Sequence, residues 1–325
     1  MVTESISNNN LSQEGTAMGI DEIVVGSNGY DTEFWNKAMR GKSADYEKLK
    51  GGRTATDMFT LPYDSNRKYM AELEKESFFR QFATSFNVSS SNNTVLAYAS
   101  DDVAACVPEG ESINVSDMAD DFTRIKTEAH KVVSLVKVAN AIVTDNAFDI
   151  KKHLPKRFAK VFGRAEENLF INGTGEGQPV GVLNDTLGAE TGVTTTDVTF
   201  DDVINLYMSV KAKHRKHGVW LMNDDTALAI RKLKDENGNY LWQEGMDTIL
   251  GKPVYISEFM PSVATGKKVI AFGDFSYYWI LNRRPLAIRA LKEKFELYDQ
   301  TGYLAMEYID GKLVNREAIK VMQIS

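Results

Sequence analysis

The residues in this chain whose types and spacing could do chemistry are few. The most suggestive is the glycine cluster Asn172-Gly173-Thr174-Gly175-Glu176-Gly177-Gln178-Pro179. A phosphate-binding loop needs a strand before it and a helix after it, so that backbone N–H groups and a helix N-terminus face the anion. Here a helical pattern precedes the cluster, Pro179 follows it, and no Gly-Lys-Ser/Thr ending is present. The context favours a structural turn over a nucleotide site. His214 and His217, three apart on a predicted helix, could share a face, but Arg215 and Lys216 crowd them and no His-Glu-x-x-His pattern exists. A solvated basic face over residues 211–217 explains them better than a metal site does. Glu166-Glu167 and Asp224-Asp225 are adjacent pairs, and neighbours on a helix diverge, so neither makes an acid/base couple. Cys106 sits among acids, which disfavour its thiolate. No Gly-x-Ser-x-Gly elbow occurs. The expectation is a protein without catalytic residues, cofactor or metal.

The whole-chain balance points the same way. At 325 residues and 26% charged side chains the chain has an ordinary globular composition. Its net charge of −7 argues against sequence-specific nucleic-acid binding through a basic surface. One cysteine excludes an intramolecular disulfide and a CxxC pair. No apolar run approaches a membrane span, and the first residues lack the basic and apolar regions of a secretion signal. Cytoplasmic assembly is therefore expected.

The elements that would position these residues read as mixed α+β. Residues 1–30 are polar and acidic with little periodicity. A short helix is predicted with Asp31 as N-cap and Phe34, Trp35, Ala38 and Met39 on one face, ending before Gly41. Residues 53–66 read as extended, with Pro62 opposing helix, and helical spacing resumes over 67–83. Residues 86–139 switch to strand patterning around a polar, acidic centre, which predicts one long β-hairpin. Arms of about 25 residues at ~3.3 Å each would reach roughly 80 Å, against a body diameter of about 50 Å. Such an arm must protrude, and a protruding arm most simply packs on a neighbouring subunit.

The strongest helix is predicted over 146–170, with Leu154, Phe158, Val161, Phe162, Ala165 and Leu169 on its apolar face. Lys156, Lys160, Arg164 and Glu167 lie opposite. Pro155 either kinks it or marks where its continuous part starts. Helix and strand alternate over 197–260, with Thr199 as an N-cap and a strand at 219–222. From Val269 onward the chain reads as hairpins punctuated by Gly273-Asp274, Gly302 and Asp310-Gly311.

The order of motifs resembles the major capsid proteins of tailed phages, with the Hong Kong 97-type fold. In that family a long spine helix ends in Glu-x-x-x-(Leu/Phe)-x-Asn-Gly-x-Gly and continues into Pro-x-Gly-(Ile/Leu/Val)-Leu. Residues 166–175 and 179–183 match this run. Leu233-Lys234-Asp235 to Tyr240, Gly251-Lys252-Pro253-Val254 and Gly273-Asp274-Phe275 resemble three further family segments. Phe34-Trp35 to Arg40-Gly41, followed by Leu61-Pro62, resembles the family's lead-in.

The resemblance implies an N-terminal segment (1–50, a possible reduced scaffold), an N-arm (51–85) and an extended E-loop (86–138). It further implies a peripheral domain (139–198 and 286–325) built around the spine helix and an axial domain (199–285). The implied function is self-assembly into pentamers and hexamers of an icosahedral phage or prophage head enclosing double-stranded DNA. Its implied location is the virion, after assembly in the host bacterial cytoplasm. Implied partners are further copies of itself, with a scaffolding protein, maturation protease, portal and cement protein as candidates, and no membrane. An encapsulin-like nanocompartment shares the implied fold, and a nucleotide-binding enzyme is the third reading.

The spine core is expected at Leu154, Phe158, Phe162 and Leu169, and inter-subunit contacts at the E-loop tip residues Asp101, Asp102, Glu109 and Glu111. These acids should seek basic surface on a neighbour, such as the spine face with Lys156 and Lys160. Some family members seal their shells with bonds from an E-loop Lys to an Asn, assisted by a Glu. Residues 101–124 contain no Lys, Gln300 stands near the Asn position and Glu307 near the Glu, so non-covalent sealing is expected.

Overall fold

Two β-sheets, one long helix between them and a projecting ribbon organise the computed structural model of the chain. The structure describes residues 25–40, 42–54, 56–88, 94–98, 122–144, 148–242 and 247–325. Helices referred to below are α1 (Asn28–Glu33), α2 (Tyr63–Glu76), α3 (Phe78–Phe82), α4 (Ile150–Asn172), α5 (Phe200–Ser209) and α6 (Asp224–Arg231). Strands are β1 (Phe59–Thr60), β2 (Thr84–Asn87), β3 (Thr94–Tyr98), β4 (Phe122–Lys126), β5 (His130–Ala139) and β6 (Glu190–Thr195). They continue as β7 (Val219–Met222), β8 (Thr248–Ile249), β9 (Lys252–Ile256), β10 (Lys268–Gly273), β11 (Tyr278–Leu291), β12 (Gln300–Leu313) and β13 (Ile319–Ile324).

The first sheet runs β1-β11-β12-β5, with β2 also on β11. Its centre is the antiparallel β11–β12 hairpin, 14 residues a side. Gly302 and Asp310-Gly311 lie inside β12 and not at turns as the sequence suggests. Gly311 is there because a Cβ would come within 2.4 Å of the Tyr278 hydroxyl and 2.8 Å of the Phe170 ring. The actual turn is a 3-10 segment over 293–298 closed by Asp299 in the left-handed region, φ 50°. The second sheet runs β6-β13-β10-β7-β9-β8. β6 and β13 belong to the segments 139–198 and 286–325, yet they pair with each other and, through β10, with the segment 199–285.

Helix α4 is the spine. The Asp149 side chain accepts from the Lys152 N–H at its start, and Pro155 sits buried in the second turn of a helix that runs unbroken to Asn172. Its last carbonyls do not go unpaired. The chain doubles back after the glycine cluster, so that the N–H groups of Val182 and Leu183 donate to Phe170 and Ile171 at 2.7 and 3.0 Å. Gly173 lets this return strand approach, because a Cβ there would lie 2.1 Å from the Pro179 carbonyl oxygen. The cluster is thus a helix-terminating turn whose N–H groups face the protein.

Three sequence expectations change. The first helix starts earlier, at Asn28, with the Ser27 hydroxyl accepting from Tyr30 N–H at 3.2 Å, so Asp31 lies inside it. Pro62 does not oppose helix; it stands at the N-cap of α2, where its missing N–H costs nothing. The arms at 84–87 and 130–139 do not pair with each other. β2 runs parallel to β11 and β5 antiparallel to β12, and only β3 and β4 form a hairpin ribbon, from Thr94↔Lys126 to Tyr98↔Phe122. Alternating patterns reveal strands but not partners, and β11–β12 offered a longer ladder than either arm could offer the other.

Candidate functional site: two faces of the five-stranded sheet

The face toward the spine is closed. Phe158 and Phe162 are fully buried against Tyr69, Ile288, Tyr303 and Ala305, and Leu154 is buried with them. Leu169 and Val161 depart from the expected face: Leu169 keeps partial exposure and Val161 is 40% exposed, while Glu166 and Phe170 are fully buried. Glu166 can occupy a core position because Arg80 of α3 meets it side-on. Arg80 Nε donates to Glu166 Oε2 at 2.8 Å, Nη2 donates to Oε1, and Nη1 donates to Asn282 Oδ1 at 3.0 Å. Glu307 of β12 completes the cluster, its Oε2 accepting from the Tyr69 hydroxyl at 2.9 Å. Burial, followed by the adjacent Glu166 charge, pushes the Glu307 carboxyl well above the usual carboxylate range. Burial opposes the charge on Arg80, but Glu166 outweighs it and raises the guanidinium further. The network joins the Arg80–Glu166 ion pair to a carboxyl that holds its proton more tightly than usual, and it bolts α2, α3, α4 and β12 together. Nothing in the sequence singled out Arg80, and Glu166 and Glu307 stood out only as positions that resemble the family's pattern.

The opposite face is open. Cross-strand pairs Val133↔Met306, Leu135↔Leu304 and Lys131↔Tyr308 continue across the hairpin to Ala287, Arg289 and Arg284. Val133 and Leu135 are 45% and 42% exposed, whereas Met306 and Ala287 next to them are buried with Met58. Lys131, Lys137, Arg284 and Arg289 surround this apolar strip, all exposed, and none has an ion-pair partner among the described residues. β5, β11 and β12 present no exposed carboxylate, since their two acids, Glu307 and Asp310, are buried.

The projecting ribbon is rooted in the same sheet. Asn87, Asn282, Ile309 and His130 stand in one cross-strand row, so the two legs leave three strand spacings apart, roughly 14 Å. The returning leg is clamped. The buried Asp310 carboxylate accepts from Glu128 N–H at 2.8 Å and lies 3.5 Å from His130 Nε2, and Arg283 donates to Thr127 Oγ1 at 3.1 Å. Burial raises the Asp310 carboxyl against these bonds. Asp101, Asp102, Glu109, Glu111 and Cys106 lie outside the described residues.

The remaining candidates do not converge. His214 is buried edge-on against Tyr277, away from any His/Cys/Asp/Glu group of metal-binding size among the described residues. Gln300 and Glu307 are seven apart on β12 and so face opposite sides of the sheet in one subunit. Among the described residues no helix is long and apolar enough to cross a membrane.

A two-sheet body, a spine helix capped by a doubled-back turn and a ribbon standing off one sheet define the Hong Kong 97-type fold of phage shell subunits. Residues 58–324 match the model of the phage capsid family, and the chain belongs to that family. It is similar to the capsid of an empty GTA particle, 30% identical with a TM-score of 0.64 over 77% of this chain and 90% of that one. The fold recurs in Gordonia phage Cozz (13% identity, TM-score 0.54, 77% and 87% of the chains). It recurs also in the satellite phage P4 procapsid that includes the size determination protein (10% identity, TM-score 0.54, 79% and 98%). No protein of curated function matches the chain. Its role is structural: it is a major capsid protein, a shell subunit of the virion.

Proposed function

We propose that copies of this chain form the five- and six-membered rings of an icosahedral head around double-stranded DNA, each ribbon lying on a neighbour's open sheet face. The carrying observation is that face: an apolar strip ringed by exposed Lys131, Lys137, Arg284 and Arg289. Residues 99–121 complement it, with seven carboxylates, including Asp101, Asp102, Glu109 and Glu111, and neither Lys nor Arg. Of the spine cations expected from sequence to meet that tip, Lys156 already pairs with Glu72 at 3.3 Å. The GTA particle capsid was computed with C5 symmetry, which supports five-fold rings here. Closed rings bury such faces in finite assemblies, where open stacking would give filaments.

The module division follows as a proposal: N-terminal segment 1–50, N-arm 51–85, E-loop 86–138, a peripheral module on the spine, and an axial module over 199–285 to which β6 and β13 add strands. Sealing is non-covalent, because the loop lacks an amine over 101–124 and Gln300 and Glu307 cannot meet in one subunit. A scaffold, protease, portal or cement protein would act on this subunit from outside.

Electron microscopy of the purified protein tests the reading. Rings or closed shells are expected, with DNA and not enzyme cargo inside particles from infected cells. A monomer at every concentration and salt, with or without scaffold, would sink it. Boiled particles should run as one band near 36.3 kDa, and a ladder of larger bands would refute non-covalent sealing.

A further inference from the structure

The spine helix has a second surface that the shell reading does not use. Between Ile150 and Ala165 it contains six cations and no acid, the first carboxylate being Glu166. Lys151 pairs with Asp31, Lys156 with Glu72 and Arg164 with Glu258, but Lys152, Arg157 and Lys160 have no carboxylate in ion-pair range among the described residues. Such a stripe stands out in a chain of net charge −7.

Beside the stripe runs a groove of about 600 Å³. Its floor is apolar, formed by Val138, Ile142, Phe148 and Leu154, and Arg157 and Lys160 stand on its rim. Ile142 remains 43% exposed there, and Glu76 and the paired Glu72 close the far wall. Apolar floor and cationic rim together fit an acidic peptide with apolar side chains better than they fit a bare phosphate chain, which has no use for the floor.

We propose that the occupant is residues 1–24 of the same chain. Three observations converge. The segment carries Glu4, Glu14, Asp21 and Glu22 with no Lys, Arg or His, and its last seven residues, Met18-Gly19-Ile20-Asp21-Glu22-Ile23-Val24, set an acidic pair between aliphatic residues. The described chain begins near the same end of the spine: Asp31 pairs with Lys151 at 2.5 Å, and Arg40 donates at 2.8 Å to the Val143 carbonyl, next to Ile142 of the groove. The reach is ample, since an extended segment of this length spans up to ~80 Å and the whole spine about 35 Å. In the groove, the segment's carboxylates offset Arg157 and Lys160 while Ile20, Ile23 and Val24 cover the floor. The inference concerns a single chain and stands whether or not rings form.

The test uses the full chain with a photoreactive benzoylphenylalanine replacing Ile142, and separately Val161, both exposed enough to accept it. Illumination should give a product of monomer mass in which the substituted position is joined to a peptide from residues 1–24. Its yield should fall severalfold from about 0.1 to about 1 M salt, as the screening length shrinks from ~10 to ~3 Å. It should fall likewise in the triple variant Glu14→Lys, Asp21→Lys, Glu22→Lys. Crosslinks confined to 99–121, a product of twice the monomer mass, or no crosslink at either position would overturn the proposal.

Discussion

The two faces of the five-stranded sheet are made of the same strands, yet they are finished in opposite ways. Toward the spine, β12 offers Tyr303, Ala305 and Glu307 to a packed interior in which Glu166 pairs with Arg80 and Glu307 accepts from the Tyr69 hydroxyl. On the other side, Met306 is buried with Met58 and Ala287, while Val133 and Leu135 beside it stay exposed and Leu304 and Tyr308 half-buried. A strand alternates its side chains, so one sequence can encode a core and a contact surface independently. The difference separates two properties that are often confounded: the first face holds one subunit together, and the second, under the proposed function, joins it to others.

The sharpest break of that comparison is Arg80→Ala. It leaves Glu166 buried without its cation and should cost about 3–5 kcal/mol, seen as a large fall in the urea midpoint of the subunit. A loss below about 1 kcal/mol would mean that the network does not hold the closed face together. Phe158→Ala removes a fully buried ring and should cost ~3–5 kcal/mol by the same measurement, with insoluble or unassembled protein as the outcome in cells.

Glu307→Gln should act in the other direction and only over part of the pH range. The folded carboxyl titrates well above the ~4.3 of an unfolded Glu, so the native state holds more protons and loses stability as pH rises beyond that value. Gln keeps the neutral shape and removes the slope. The variant should melt higher than the parent at pH 7 and at the same temperature near pH 4; a variant less stable at pH 7 would show that Glu307 is ionised in the fold. The smallest stability effect belongs to the open face. Leu135→Glu should change subunit stability by within about 0.5 kcal/mol while abolishing rings in light scattering. Unchanged assembly would remove that face from the subunit contact.

Periodicity made the spine legible, because Leu154, Phe158 and Phe162 repeat at helical spacing without reference to the rest of the chain. It misplaced Val161 and Leu169 because the true stripe passes through Glu166, and no rule of amphipathicity puts a carboxylate in a core. The arms were legible as strands and misread as a pair, since a strand's partner is a long-range fact. The same holds for the closed face as a whole: Tyr69 reaches Glu307 across 238 residues and Tyr303 reaches Met39 across 264. The open face showed no signal, as Val133 and Leu135 look like any buried alternation until the covering layer proves absent. The acids Asp101, Asp102, Glu109 and Glu111, expected at the tip, lie outside the described residues.

The position of the β11–β12 hairpin has a further consequence, for the order of synthesis. Every strand of the first sheet pairs with residues 278–313, so the spine helix, complete at Asn172, has no sheet to lie on until some 140 residues later. At about 5–20 residues per second the ribosome takes on the order of ten seconds or more to supply it. During that interval Phe158 and Phe162 face no finished core, and the ribbon legs have nothing to root in. A nascent chain therefore offers hydrophobic surface to chaperones but no completed face to a neighbour. Chains interrupted before the hairpin are made without the strands on which every other strand of the first sheet pairs.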